Sequence, residues 1–134
     1  MLTELDDLVR LVEDQPELAV RFSSDIDADV RSGTTDAESG IRLPGMSVNP
    51  LHPEAWWTRP TVDWVARQIC QYSHLLDEQP KRTAWLVRGR SIGRGPDREP
   101  LLIDVTVVDS LDDEVLRQAD RTYRERFDRE EDNQ

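Results

Sequence analysis

The segment from Leu43 to Leu76, LPGMSVNPLHPEAWWTRPTVDWVARQICQYSHLL, constrains this fold more than any other. It holds four prolines (Pro44, Pro50, Pro53, Pro60) and three of the chain's four tryptophans (Trp56, Trp57, Trp64). Proline fixes φ and removes an N–H donor, so the first half sets a chain path instead of a helix or a central strand. Pro53 to Trp57 has room for one helical turn. The second half is periodic: from Thr61 to Glu78, Val62, Val65, Ala66, Ile69, Ser73 and Leu76 share one helical face, with Trp64, Gln68 and Leu75 beside it. An apolar band this wide predicts a central helix covered on more than one side. Tryptophan brings large buried area together with a polar N–H. Trp64 and Trp85 are expected in the core, whereas Trp56 and Trp57 stay open between core and pocket.

Periodicity divides the rest of the chain. Residues 3 to 14 read as a helix capped by Thr3, with Leu5, Leu8, Val9 and Val12 as its stripe and Pro16 as its end. Glu17 to Phe22 alternates as a half-buried strand. Ser23 to Gly40 shows no period and reads as a long acidic surface loop, with a short strand at Ile41 to Leu43. Arg82 to Ile92 and Pro100 to Val108 read as strands joined by the turn-rich GRGPDRE, an antiparallel hairpin. Ser110 to Glu130 is the last helix, capped by Ser110, and the tail EEDNQ is expected to fray. The expectation is one α+β domain over residues 1–127, an antiparallel sheet with a central hairpin packed against three helices, followed by a frayed acidic tail over 128–134.

Charge narrows the function classes. The net charge of −11 argues against general nucleic-acid binding and favours a cationic protein partner or self-association as a homodimer. Sixteen arginines stand against one lysine, Lys81, a bias that predicts a high-GC genome and not sixteen designed sites. The single cysteine, Cys70, excludes a disulfide within the chain and fits a cytoplasmic setting. No segment approaches 18 consecutive apolar residues, so no membrane span is expected.

Five groups of residues are candidates for chemistry. Arg82, Arg88, Arg90, Arg94 and Arg98 fall within seventeen residues of an acidic chain, and the glycines among them permit a turn whose free N–H groups bind an anion. The competing reading pairs these arginines with the acidic loop. Asp25, Asp27 and Asp29 copy the first three ligand positions of a calcium loop, but Val30 stands where glycine is needed and Asp36 where a bidentate Glu is usual. That run reads as a hydrated loop, and no metal or cofactor is expected. Cys70 and His74 share a helix side, with His52 in the proline corner, yet two ligands do not make a zinc site, and a lone cysteine is usually a small buried hydrophobe. Arg21, Ser23 and Glu38 are residue types that a nicotinamide-dinucleotide transferase uses, but without a fixed motif they read as solvent contacts. Trp56, Trp57 and Trp64 with Tyr72 offer an aromatic cage or stacking platform.

Leu43-Pro44-Gly45, the Trp56-Trp57 pair, Trp64 and Gly93-Arg94-Gly95-Pro96-Asp97 together resemble a family of small actinobacterial proteins of unknown function. The resemblance covers residues 17 to 120. It implies an actinobacterial source and a cytoplasmic setting, and it implies no chemistry.

Two functional expectations result. The first is a non-enzymatic binding or regulatory module with an acidic surface. The second is a small enzyme or sensor that binds a phosphorylated ligand or nucleotide through the hairpin 88–98, with Arg88, Arg90 and Arg94 on the phosphate and Trp56 or Trp57 stacked on a base.

Overall fold

Consecutive residues of the first strand bury opposite sides, and that alternation organises the molecule. A computed structural model describes residues 1–71 and 81–127. In chain order it contains α1 (Leu5–Asp14), β1 (Ala19–Ser23), α2 (Ile26–Ser32), β2 (Met46–Ser47), β3 (Asn49–Pro50), α3 (Thr61–Gln71), β4 (Thr83–Arg94), β5 (Pro100–Leu111) and α4 (Asp113–Phe127). The fold is α+β, with an antiparallel sheet in the order β2-β5-β4-β1-β3. Val20, Phe22, Ala84 and Leu86 face a core built with Leu8 and Val12 of α1, Val65 and Ile69 of α3, and Val115 and Ala119 of α4. Ala19, Val87 and Leu102 face a second core with Met46, Val48 and Ile26. The first strand is therefore covered on both faces, not half-buried.

The sheet closes on itself. β2 pairs with β5 (Met46↔Leu102, Ser47↔Leu101) and β3 pairs with β1 (Ala19↔Pro50, Val20↔Asn49), so the two outer strands are separated by Val48 alone. Consecutive Cα atoms lie about 3.8 Å apart, so the outer edges of β5 and β1 must meet on this one stretch. The Val48 N–H reaches the Pro100 carbonyl at 3.2 Å and the Leu51 N–H reaches the Leu18 carbonyl at 3.2 Å, one bond to each side. Register shifts at Leu86/Val87, Arg88/Arg90 and Ser91/Gly93 supply the curl. The second core draws residues from β1, β2, β4 and β5, with Val48 from the closing stretch and Ile26 from α2.

Several local expectations need correction. The described helices number four, because Ile26–Ser32 is helical where a loop was expected. The Asp25 carboxylate caps it by accepting from the Ala28 N–H at 3.1 Å, and Gly33 ends it at φ 73°. Thr3 does not cap α1. Glu4 holds that position without capping the helix through its side chain, which accepts from Gln118 Nε2 of α4 at 3.0 Å, and the Leu5 N–H donates to Gln118 Oε1 at 2.8 Å. Ser110 lies in β5, and α4 is capped by Asp112, whose Oδ2 accepts from the Glu114 N–H at 3.1 Å. Ile41 to Leu43 forms only the Thr35↔Arg42 bridge. Pro53 to Trp57 is a turn closed by the Trp57 N–H on the Glu54 carbonyl at 3.0 Å. The expected helix end at 72–78, Tyr72, His74 and the tail 128–134 lie outside the described residues.

Candidate functional site

The α2 helix, unseen in the sequence, creates a cleft. A space of about 400 Å³ opens between the end of α2, the segment 42–46 and β5. Leu43, Met46 and Val105 give it apolar walls, and Asp29, Arg31, Arg42 and Asp104 give it charge. Each carboxylate is already neutralised from outside: Arg21 Nε donates to Asp29 at 3.1 Å, and Arg90 pairs with Asp104 at 3.4 Å. Arg31 and Arg42 have no such partner among the described residues. The cleft therefore carries local positive charge in a chain of net charge −11.

Two backbone features shape its β5 wall. Asp104 adopts φ 53°, a left-handed conformation that L residues rarely take. It sits in a bulge, because Arg90 pairs with Ile103 and Arg88 with Thr106, leaving Gly89 opposite two residues. A Cβ on Gly89 would lie 2.7 Å from the Ile103 carbonyl oxygen, so only glycine lets the strands approach there.

Arg21 is not the solvent contact expected of it. Its side chain is 21% exposed, and besides Asp29 it donates from Nη1 to the Ser47 carbonyl at 2.9 Å. It thus fastens α2 to the closing strand. Ser23 is buried and its Oγ accepts from the Asp25 N–H at 3.0 Å. A smaller cavity of about 110 Å³ beside Arg21 is lined by Ser47, Asn49, Asp97 and Glu99. The hairpin loop turns its acids, not its arginines, toward that cavity.

The hairpin arginines have separate partners. Arg88 donates to Gln15 Oε1 at 3.3 Å, Arg90 meets Asp104, and Arg94 donates to the Arg98 carbonyl at 3.2 Å. None of these partners belongs to the acidic segment 23–40. The loop N–H groups are used internally, Gly95 on the Glu99 carbonyl (2.9 Å), Arg98 on the Gly95 carbonyl (3.0 Å) and Asp97 on Glu99 Oε2 (3.0 Å).

The tryptophans form a graded cluster against α3. Trp64 is buried, Trp57 half-buried and Trp56 68% exposed. Their rings meet edge to face, with centroids 5.0 Å apart for Trp57 and Trp64 and 5.8 Å for Trp56 and Trp64. Trp85 is half-buried against the second core. Beside the cluster, the buried Asp63 carboxylate lies 3.2 Å from Arg59 and 3.5 Å from Arg126, and the Arg59 guanidinium covers the Phe127 ring at 4.5 Å. Trp56 and Trp57 thus belong to the helical side, while Arg88, Arg90 and Arg94 belong to the hairpin, and neither cleft described above draws on the tryptophans.

The remaining candidates carry little chemistry. Burial pushes the Cys70 thiol up to about 11, with Asp120 adding to the effect. His52 Nδ1 lies 3.0 Å from the Pro53 carbonyl at the surface. Asp25, Asp27 and Asp29 are spent on a cap, a helix dipole and an ion pair, and among the described residues no three His, Cys, Asp or Glu side chains gather as a metal would need. Among the described residues no helix is long and apolar enough to cross a membrane.

A family model described as a family of unknown function (DUF6098) matches residues 1–133, and the chain belongs to that family. No curated protein matches the chain. No solved structure matches it either.

Proposed function

For this member of a family of unknown function we propose a non-enzymatic binding role, in which the cleft between α2 and β5 takes an anionic ligand with an apolar body. The observation that carries the reading is the charge arrangement: Arg31 and Arg42 have no acidic partner among the described residues, while the two cleft aspartates are paired with Arg21 and Arg90. A concave site with apolar walls and a few placed polar groups is the usual form of a ligand pocket, typically about 300–1,000 Å³. Guanidinium groups suit carboxylate or phosphate through paired N–H donors. The protonated Cys70 and the arginine-held Asp63 support binding over catalysis. The arginine bias and the lone cysteine support an actinobacterial source and a cytoplasmic setting.

A thermal-shift panel of organic phosphates and carboxylates tests this. At about 100 Kd a true ligand stabilises by roughly 2.7 kcal/mol. The shift should survive in Arg88→Ala/Arg94→Ala and vanish in Arg31→Ala/Arg42→Ala. No shift across the panel, or loss in the hairpin variant alone, overturns the reading.

A second reading, a cationic protein partner, is favoured by the outer face of α1, where exposed Asp6, Asp7, Glu13 and Asp14 face one basic residue, Arg10. Pull-down at low and high salt tests it: a partner retained only at low salt supports it, and a strict monomer with no partner at low salt contradicts it.

A further inference from the structure

β5 is covered on its outer side only at its ends. Met46 and Ser47 pair with Leu102 and Leu101 at one end, and Leu2 bridges Leu111 at the other. Among the described residues, Ile103 to Val108 pair with β4 alone. An unpaired edge presents N–H and C=O groups ready to accept a strand. The cleft follows this gap, since Ile103, Asp104 and Val105 line it.

We propose that the cleft receives the C-terminal end of an extended peptide, added antiparallel to β5 in line with β2, with its terminal carboxylate held by Arg31 and Arg42. The proposal rests on the anion reading above and names the class of ligand. Chain direction argues for the C-terminus. β2 is antiparallel to β5, so the position opposite Ile103 falls to Gly45, which packs so close to β5 that a Cβ on it would lie 2.8 Å from the Leu102 carbonyl oxygen, and the positions from Asp104 onward fall to whatever precedes Gly45 in that line. The chain itself leaves that line, because the Leu43 N–H is bonded to the Thr34 carbonyl at 2.8 Å. A peptide filling the vacated line points its last residue at the β2 end, where Arg42 and Gly45 border the cleft. The reverse orientation offers β2 an ammonium group instead of the carboxylate that Arg31 and Arg42, without an acidic partner among the described residues, favour. The apolar wall of Leu43, Met46 and Val105 accommodates alternate apolar side chains, as strand addition requires. The bulge at Asp104 restricts the length of straight pairing, which suits a short terminal segment and disfavours the long strand of a second copy.

The probe is acetyl-Val-Thr-Val-Thr-Val with a free C-terminus, followed by NMR on the full chain. Three controls accompany it: the same peptide as its C-terminal amide, a version N-methylated at alternate residues, and acetylvaline. The expected result is exchange slowed at least tenfold at the amides of residues 104–108 that point away from β4, and affinity at least tenfold above that of every control. Arg31→Ala/Arg42→Ala should remove the advantage over the amide. If acetylvaline or the N-methylated peptide binds as tightly as the parent, strand addition is overturned while the anion reading stands. If the amide binds as tightly and still protects the edge, the carboxylate role is overturned and the anion reading with it. If no probe binds, the peptide proposal is overturned, and the phosphate panel decides the anion reading separately.

Discussion

Asn49 and Gln68 hold each other across the interior of the molecule. Gln68 Nε2 donates to Asn49 Oδ1 at 2.9 Å, and Asn49 Nδ2 donates to the Gln68 carbonyl at 2.8 Å. The same Gln68 amide also meets the Pro50 carbonyl at 2.9 Å. Both residues are nearly inaccessible to water, and together they tie the closing strand to the central helix. Asn49→Ala removes one partner each from the buried Gln68 side-chain amide, which keeps the Pro50 carbonyl, and from the Gln68 backbone carbonyl, and should destabilise by about 1–3 kcal/mol. The Asn49→Ala/Gln68→Ala double variant should cost less than the sum of the single changes, because the side-chain bond between the two amides is lost in either single variant and can be lost only once. Denaturant unfolding of the four proteins measures the cycle.

Asp63 is clamped from two sides, by Arg59 just before its own helix and by Arg126 near the end of α4. Its side chain is 2% exposed. Removing either arginine leaves a buried carboxylate with half its counter-charge, which should cost about 1–3 kcal/mol given that the arginines are themselves partly exposed. Removing both should exceed the sum. Thermal unfolding of Arg59→Ala, Arg126→Ala and the pair gives the comparison.

The bulge makes a different demand at each of its two key positions, Gly89 of β4 and Asp104 of β5. Gly89→Ala drives a methyl against the Ile103 carbonyl and should destabilise by about 1–3 kcal/mol. Asp104→Val forces a β-branched residue into the left-handed region, at a cost of about 1–2 kcal/mol. Asp104→Gly fits that backbone and should be tolerated. Chemical denaturation of the three variants measures these differences.

The Cys70 thiol sets a pH signature. Its value is raised from 9.0 to about 11 by burial and then by Asp120. A thiol raised in the folded state is fully protonated below 9, so its contribution to stability is intact there and is lost as pH climbs toward 11. At neutral pH the native thiolate fraction is about a hundredfold below that of the unfolded chain, because each pKa unit is a factor of ten. A thiol-labelling time course should therefore be slow for native protein and fast in denaturant. Equal rates would contradict the burial.

Legibility tracked the length and periodicity of each element. α1, the start of α3, β4, β5 and α4 carry repeated apolar positions, so pattern alone located them. α2 buries only Ile26, and one residue makes no period. β2 and β3 are two residues each, too short for alternation, and their partners lie far along the chain. The ring closure was therefore invisible, and so was the cleft that depends on it. Arg21 was misread for the same reason, since its partner Asp29 belongs to the unseen helix. The hairpin arginines were visible as a cluster, but spacing says nothing about their partners Gln15, Asp104 and the Arg98 carbonyl.

The most direct test of the cleft as the binding surface is an NMR titration that follows every arginine Nε–H while a ligand found by thermal shift is added. The account predicts saturating shifts at Arg31 and Arg42, with Arg88 and Arg94 unmoved. Shifts confined to Arg88, Arg90 and Arg94 would place binding on the hairpin and contradict it.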